Sequence, residues 1–108
     1  MKSFKKLVLC EFFSKKLDVY VWADMEDNKL TIAGQDLGPF VEEIFGDSDY
    51  EYWYSFDENE TEKLLRLIHG LEKPEEALLD AFCGLDGCTT LKAFCKKNNI
   101  HYQFYSYA

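Results

Sequence analysis

The side chains of this sequence that are best suited to nucleophilic or metal chemistry are those of four cysteines and two histidines. Cys83, Cys88 and Cys95 lie late in the chain, separated by four and six residues. These gaps match neither the usual zinc spacing nor a C-x-x-C redox pair. Cys88 comes early in a predicted helix, where the helix dipole could lower its pKa. Nothing in the spacing pairs it with His101 as a base, so we predict no catalytic residues and interpret the thiols as buried or idle.

An acidic segment has the periodicity of a calcium-binding loop. Six residues fall at positions 1, 3, 5, 7, 9 and 12 of such a loop: Asp47, Asp49, Glu51, Trp53, Ser55 and Glu58. Oxygen ligands at that spacing wrap a hard cation, but Tyr52 stands where the loop needs a glycine for its sharp turn. The alternating aromatic residues of the same segment also require an extended strand. We therefore predict no metal and no cofactor.

The composition is that of an acidic domain with ample core material. The chain has 108 residues, of which 47% are apolar, and we predict a single domain over residues 1–108. Its formal net charge is −8, from 20 acidic and 12 basic residues. Nucleic-acid binding draws most of its affinity from Lys and Arg, so this balance argues against nucleic acid. It favours a basic protein partner, or solubility alone.

The distribution of apolar residues indicates the cellular compartment of the protein. No apolar run approaches the roughly 20 residues needed to span a bilayer, so we predict no membrane partner. Near the amino terminus, Glu11 interrupts an apolar run of four residues, and no small-residue cleavage site follows. We therefore predict a cytoplasmic protein whose thiols are reduced.

Residues 50–56 show the clearest strand pattern. Four aromatic residues point one way, namely Tyr50, Tyr52, Tyr54 and Phe56, and three residues point the other, namely Glu51, Trp53 and Ser55. A period of two is that of a strand, and aromatic residues suit a half-buried pleated surface. We interpret this segment as a central strand that carries much of the aromatic core.

Four other strands are predicted. Phe4–Phe13 is apolar on both faces, with Val8, Cys10 and Phe12 sharing one of them, which is typical of a strand inside a sheet. Residues 17–24 alternate cleanly, and residues 30–34 follow after turn-forming residues at 26–29. The first half is thus a three-stranded antiparallel meander, and residues 100–107 form the last strand.

Helical spacing appears between these strands. A short helix follows Pro39, and a longer one over residues 58–70 begins with Asp57 and Glu60 at the spacing of a capping box. Two more begin at Pro74 and at Asp86. The predicted fold class is α+β: a mainly antiparallel sheet of about five strands, with three helices packed on one face.

If helices cover the more apolar side of this sheet, its other side mixes aromatic rings with carboxylates. We predict seven binding residues there: Tyr20, Trp22, Asp24, Glu51, Trp53, His101 and Tyr105. Trp and Tyr are favoured interface anchors, and acidic groups around them steer a basic partner. The alternative is that the rings simply pair across strands or that loops cover them.

Two segments resemble a group of small uncharacterised bacterial proteins. One is the acidic-aromatic run of residues 47–54, and the other is the closing strand of residues 99–107, with a leucine-rich helix between them. The resemblance covers residues from about 47 to 107. Some proteins of this group are similar to immunity proteins of bacterial toxin systems, which are small, acidic and cytoplasmic. The resemblance implies no catalytic residues.

Three functional hypotheses follow. The first is a non-enzymatic, acidic interaction module, such as an immunity or inhibitor protein, that binds a basic partner. The second is a small enzyme or ligand-binding protein with a pocket between the sheet and the helices. The third is a protein that uses the aromatic face only to form a homodimer, so the sequence leaves monomer and homodimer open.

Overall fold

Five strands and four helices make up the part of the chain that the computed structural model describes, residues 3–107. The strands are β1 (Phe4–Phe13), β2 (Asp18–Glu26), β3 (Lys29–Leu37), β4 (Asp49–Ser55) and β5 (Gln103–Tyr107). The helices are α1 (Pro39–Phe45), α2 (Glu58–Leu67), α3 (Pro74–Phe82) and α4 (Gly87–Lys97). The strands form one antiparallel sheet in the order β1-β2-β3-β4-β5. The predicted α+β class is therefore confirmed, while the helix count of three is corrected to four. Residues 1, 2 and 108 of the predicted domain lie outside the described residues.

The hairpin between β2 and β3 sets the register of these two strands. Its turn residues Asp27 and Asn28 both have positive φ angles, 53° and 62°. Asp and Asn tolerate this conformation better than other residues with a Cβ, and two such residues give the turn that matches the twist of the strands. From this turn the β2–β3 pairing runs without interruption from Glu26 and Lys29 to Asp18 and Leu37. The predicted turn is confirmed, and β3 extends three residues beyond its predicted end.

The interpretation of β1 as an interior strand is wrong, because β1 lies at one edge of the sheet. Its pairing with β2 shifts register twice, between Phe4 and Leu7 and between Val8 and Cys10. Each extra residue moves the following side chains to the opposite face. As a result Val8 and Cys10 point to opposite faces of the sheet. Although its sequence is apolar at both alternating sets of positions, β1 therefore has one face toward the core and one face toward solvent.

The aromatic strand β4 is the fourth strand rather than the central one, since β3 occupies the middle of the sheet. Its alternation nevertheless has the predicted effect. Tyr54 is buried at 4% exposure, while Trp53 beside it in sequence points to the opposite face. We call the side that meets the helices the inner face and the other side the outer face.

The core forms between the inner face and the helices α2, α3 and α4. It contains sheet residues such as Ala23, Ile32 and Tyr54 together with leucines of the helices, such as Leu64 and Leu91. One buried polar side chain ties the two layers together. The Thr61 hydroxyl of α2 accepts a hydrogen bond from the Leu30 amide at 3.0 Å and donates one to the Phe56 carbonyl at 3.4 Å.

The amino terminus of α2 also fixes the approach to β5. Asp57 caps the helix by accepting a hydrogen bond from the Glu60 amide at 2.8 Å, as the sequence predicts. Glu60 does not complete a reciprocal capping box. Its carboxylate accepts a hydrogen bond from the His101 amide at 3.1 Å instead, which anchors the segment before β5. Asp86 precedes α4 as expected, but its side chain makes no capping hydrogen bond.

Gly34 and Tyr52 form the tightest cross-strand contact on the inner face. They are directly opposite each other in β3 and β4. The Tyr52 ring lies over Gly34 so closely that a Cβ at position 34 would overlap the ring and its hydroxyl. Position 34 therefore requires glycine because of its neighbour, although its own φ angle is ordinary.

We expect Gly34→Ala to lower the free energy of unfolding by about 1–3 kcal/mol, the usual cost of overpacking. In a Tyr52→Ala background the same change should cost almost nothing, because the ring that it displaces is absent. Urea denaturation of the four proteins of this cycle measures both costs. An equal cost in both backgrounds would show that Tyr52 does not constrain Gly34.

Candidate functional site

Four aromatic side chains of the outer face form the candidate site, and we call them the outer aromatic face: Tyr20, Trp22, Trp53 and Tyr105. The strand register places them in two neighbouring rows. One row crosses the whole sheet as Val8, Trp22, Ala33, Trp53 and Tyr105. The sequence prediction that these residues share a face agrees with their placement.

Ala33 separates the two tryptophans. It is 2% exposed and lies on β3, directly opposite Trp22 on one side and Trp53 on the other. Neighbouring strands lie roughly 4.8 Å apart, so the two tryptophan backbones are about 9.5 Å apart. Because Ala33 is almost fully covered, the two indoles lie over its methyl group, and a depression remains beside them toward the β2–β3 hairpin.

This depression, which we call the tryptophan cleft, has a volume of about 400 Å³. Trp22 and Trp53 line it together with Thr31 and Ala33. Three carboxylates line it, those of Asp24, Glu26 and Asp27, together with the ammonium group of Lys29. Within residues 3–107 the only ion pair joins Arg66 to Glu62, so no salt bridge neutralises the carboxylates of the cleft.

Asp24 has a structural role in addition to lining the cleft. Its carboxylate accepts a hydrogen bond of 2.6 Å from the backbone amide of Lys6. Lys6 lies at the first register shift of β1 and has a positive φ angle of 55°. Its ammonium group lies 5.5 Å from the centre of the Trp22 ring, within the range of a cation–π contact. Asp24 thus holds a cation beside Trp22.

Of the four rings, only Tyr20 has an aromatic partner within the described chain, and Tyr105 has a hydrogen-bond partner instead. Tyr20 packs edge-on against Phe13, with ring centres 5.5 Å apart. The Tyr105 hydroxyl donates a hydrogen bond to the side-chain oxygen of Gln103. No aromatic pair within residues 3–107 includes either tryptophan. Cross-strand ring pairing therefore accounts for Tyr20, whereas both tryptophans are half-buried without an aromatic partner in that range, and the Lys6 ammonium lies over the Trp22 ring.

Four of the seven predicted site residues lie outside the lining of the cleft: Tyr20 and Tyr105, which belong to the outer aromatic face, and Glu51 and His101. Glu51 is on the outer face, but it belongs to the row of Tyr20 and Gln35, on the far side of the tryptophan row from Asp24. The two carboxylates therefore do not meet. His101 precedes β5 rather than lying within it, and it borders a separate surface depression with Asp57.

The sequence prediction misses five residues of the cleft, Glu26, Asp27, Lys29, Thr31 and Ala33, of which Glu26 and Asp27 carry two of its three carboxylates. From the sequence, Glu26 and Asp27 are predicted to form part of a turn, and Asp27 does occupy the turn. Their second role depends on the hairpin register, which brings the end of β2 beside Trp22 and across from Trp53. A register derived from the Asp27-Asn28 turn would have revealed it.

A second depression, which we call the helix-side groove, lies on the inner face at the amino terminus of α4. It has a volume of about 360 Å³, and its lining includes Asp36, Tyr50, Tyr52, Cys88 and Lys92. Burial raises the pKa of Tyr52 far above its ordinary value, and proximity to Cys88 adds to the shift. Burial also raises the pKa of the Asp36 carboxyl.

Cys88 lies early in α4, where a helix dipole could lower the pKa of its thiol, but the shift is in the opposite direction. Burial raises the pKa of its thiol, and the hydrogen bond with Tyr52 opposes only part of that shift. All four cysteines are free thiols, and Cys95 is buried, with its pKa raised to about 11. Within residues 3–107 no cluster of three or more His, Cys, Asp or Glu side chains could hold a metal ion.

Comparisons add no assignment to this site: no family model, curated protein or solved structure matches the chain. No helix within residues 3–107 is long and apolar enough to cross a membrane.

We expect iodoacetamide to alkylate the exposed Cys83 at least about tenfold faster than Cys88 near neutral pH, because burial keeps Cys88 protonated and shielded. The reactivity of Cys88 should rise only at a pH above the range of an ordinary thiol. Mass spectrometry of timed samples measures both rates. Faster labelling of Cys88 would instead identify an activated thiol.

Proposed function

We propose that this protein is a non-enzymatic binding module that captures a basic protein partner through the outer aromatic face. The observation that carries the proposal is the tryptophan cleft. Its two indoles and its three carboxylates, from Asp24, Glu26 and Asp27, suit one kind of side chain, a flat or compact cation. A cation over an indole face is attracted by the ring, and nearby carboxylates strengthen that attraction.

Arginine fits this cleft better than lysine. Its planar guanidinium can stack on an indole and still donate hydrogen bonds to carboxylates in its plane, whereas the lysine ammonium is compact and strongly hydrated. Lys6 already occupies the vicinity of Trp22 on the side of β1. The partner's arginine would enter from the hairpin end of the cleft, where the carboxylates lie beside the two indoles.

The charge of the whole chain supports the same partner. A net charge of −8 raises the rate of encounter with a basic surface and weakens encounter with an acidic one. Because exposed charges are screened, this contribution should fall as salt is added. The uncharged rings Tyr20 and Tyr105 extend the contact beyond the cleft.

An inhibitor or immunity-like role belongs to the same proposal. Covering a basic active surface with an acidic, aromatic one is a direct way to block it, and it needs no catalytic residue on this chain. The cytoplasmic location that the sequence predicts is also part of the proposal, because an immunity protein must be in the same compartment as the basic toxin that it binds.

The test is binding of short synthetic arginine-rich, lysine-rich and neutral peptides, measured by isothermal titration calorimetry. We expect the arginine peptide to bind most tightly and the neutral peptide not at all. Trp22→Ala/Trp53→Ala should weaken arginine binding by about tenfold or more, because it removes the stacking surfaces. This variant keeps the net charge, so any binding due to the overall acidity would persist.

Two further variants locate the charge effect. Glu26→Gln/Asp27→Asn should weaken binding and reduce its dependence on salt, while leaving the Asp24 bond to Lys6 intact. Tyr107→Ala removes an exposed ring of the outer face that lies outside the cleft, and it should bind as the unmodified protein does. Equal arginine binding by the tryptophan variant and the unmodified protein would refute the proposal.

The helix-side groove favours a second candidate function, binding of a small ligand. Its half-buried Asp36 makes no hydrogen bond or ion pair within residues 3–107 that would compensate its burial, and aromatic side chains surround it. A small amine with an apolar body would match these groups. Protection of Cys88 from alkylation by such a compound, with no change at the tryptophans, would favour this function over the first.

A further inference from the structure

β5 is an edge strand whose side chains are all exposed. Phe104, Tyr105 and Tyr107 are 48%, 52% and 73% exposed, which is unusual for three aromatic residues in a stretch of five. The edge of a strand also presents backbone N–H and C=O groups that have no partner within the sheet, so it can pair with a further strand.

The two edge strands of this sheet differ strongly in how well they are protected against pairing with a further strand. β1 contains two register shifts, and Lys5 and Lys6 are exposed along it. Bulges and lysines are the devices with which natural sheets prevent edge pairing. β5 has none of them: its register with β4 is regular, and residues 103–107 contain no charged residue and no proline.

We propose that β5 pairs with β5 of a second copy of this chain. The strands would be antiparallel, with a two-fold axis at Tyr105, and the two sheets would join into one of ten strands. Gln103 would face Tyr107 of the second copy, and Phe104 would face Ser106. The two Tyr105 side chains would face each other across the axis.

The absence of charge on β5 favours a second copy over a basic peptide as the occupant. Two chains of net charge −8 repel each other, and a contact between uncharged strands adds no further like-charge repulsion at the seam. In the proposed register every pair of facing side chains is uncharged. A basic peptide strand would gain no charge complementarity from β5, because no carboxylate lies on this strand.

The contact area limits the strength of this dimer. Five paired residues bury less than the roughly 800 Å² per partner of a standard interface, so the dimer should be weak and depend on protein concentration. Residues that face each other in antiparallel strands lie on the same side of a sheet. Both tryptophan clefts would therefore lie on one surface, and a partner with two basic sites could bind both.

Sedimentation velocity over micromolar to millimolar concentrations tests the proposal. We expect reversible dimerisation that becomes stronger with salt, since salt screens the repulsion between acidic copies. Binding at the tryptophan cleft should change with salt in the opposite direction, so the two proposals can fail separately. A chain that stays monomeric over this range at high salt would overturn the proposal.

Ser106→Lys places a charge on the proposed seam and should weaken the dimer by about tenfold or more, as edge lysines do. Ser106→Thr is the matched control, which keeps the strand neutral and should dimerise normally. Ser106 is exposed, so neither change should alter the circular dichroism spectrum. A dimer that survives Ser106→Lys unchanged would place the contact elsewhere and overturn the proposal.

Disulfide trapping tests the register. In a Cys83→Ser background, Tyr105→Cys would place two thiols directly opposite each other and should form a covalent dimer on mild oxidation. Gln103→Cys would face Tyr107 of the second copy and should cross-link far less. Equal cross-linking at both positions, or none at position 105, would contradict pairing about Tyr105.

Discussion

Two small neighbouring residues of β3 determine both faces of the sheet. Gly34 leaves room on the inner face for the Tyr52 ring, and Ala33 leaves room on the outer face for the indoles of Trp22 and Trp53. Because side chains alternate along a strand, a slip of β4 by one residue relative to β3 would exchange the two faces of β4. A tyrosine ring would then lie opposite Ala33. The core contact depends on the β3–β4 register, and the candidate site depends on that register together with the β2–β3 register, which the hairpin at Asp27 and Asn28 establishes.

The outer face combines apolar surface with charge that is not neutralised within the described chain. Carboxylates gather at the end of β2, beside two indoles without aromatic partners. β5, at the other end of the tryptophan row, carries no charge at all. One sheet thus offers an acidic aromatic surface that suits a basic partner and a neutral edge that suits a second copy. The two surfaces do not compete, since pairing at the edge leaves the cleft open.

Much of this arrangement could be predicted from the sequence, because strict alternation in β2 and β4 reveals which side chains share a face. Three features could not. The bulges of β1 depend on the Lys6 backbone and its bond to Asp24, which no periodicity shows. The edge position of β1 depends on strand order, and alternation contains no information about neighbours. The cleft depends on Glu26 and Asp27, whose identities indicate a turn and whose second role appears only once the strands are in register.

Trp22 and Trp53 are the only tryptophans of the chain, so its indole fluorescence reports directly on the cleft. The most direct test of the central claim compares quenching by caesium, iodide and neutral acrylamide at low and high salt. With the quenching by each ion scaled to its quenching of a free tryptophan derivative, an acidic cleft open to solvent predicts efficient quenching by acrylamide and stronger relative quenching by caesium than by iodide at low salt, a difference that shrinks at high salt. Weak quenching by all three would show buried indoles. Relative iodide quenching equal to relative caesium quenching at low salt would show a cleft without the acidic field on which binding of a basic partner depends.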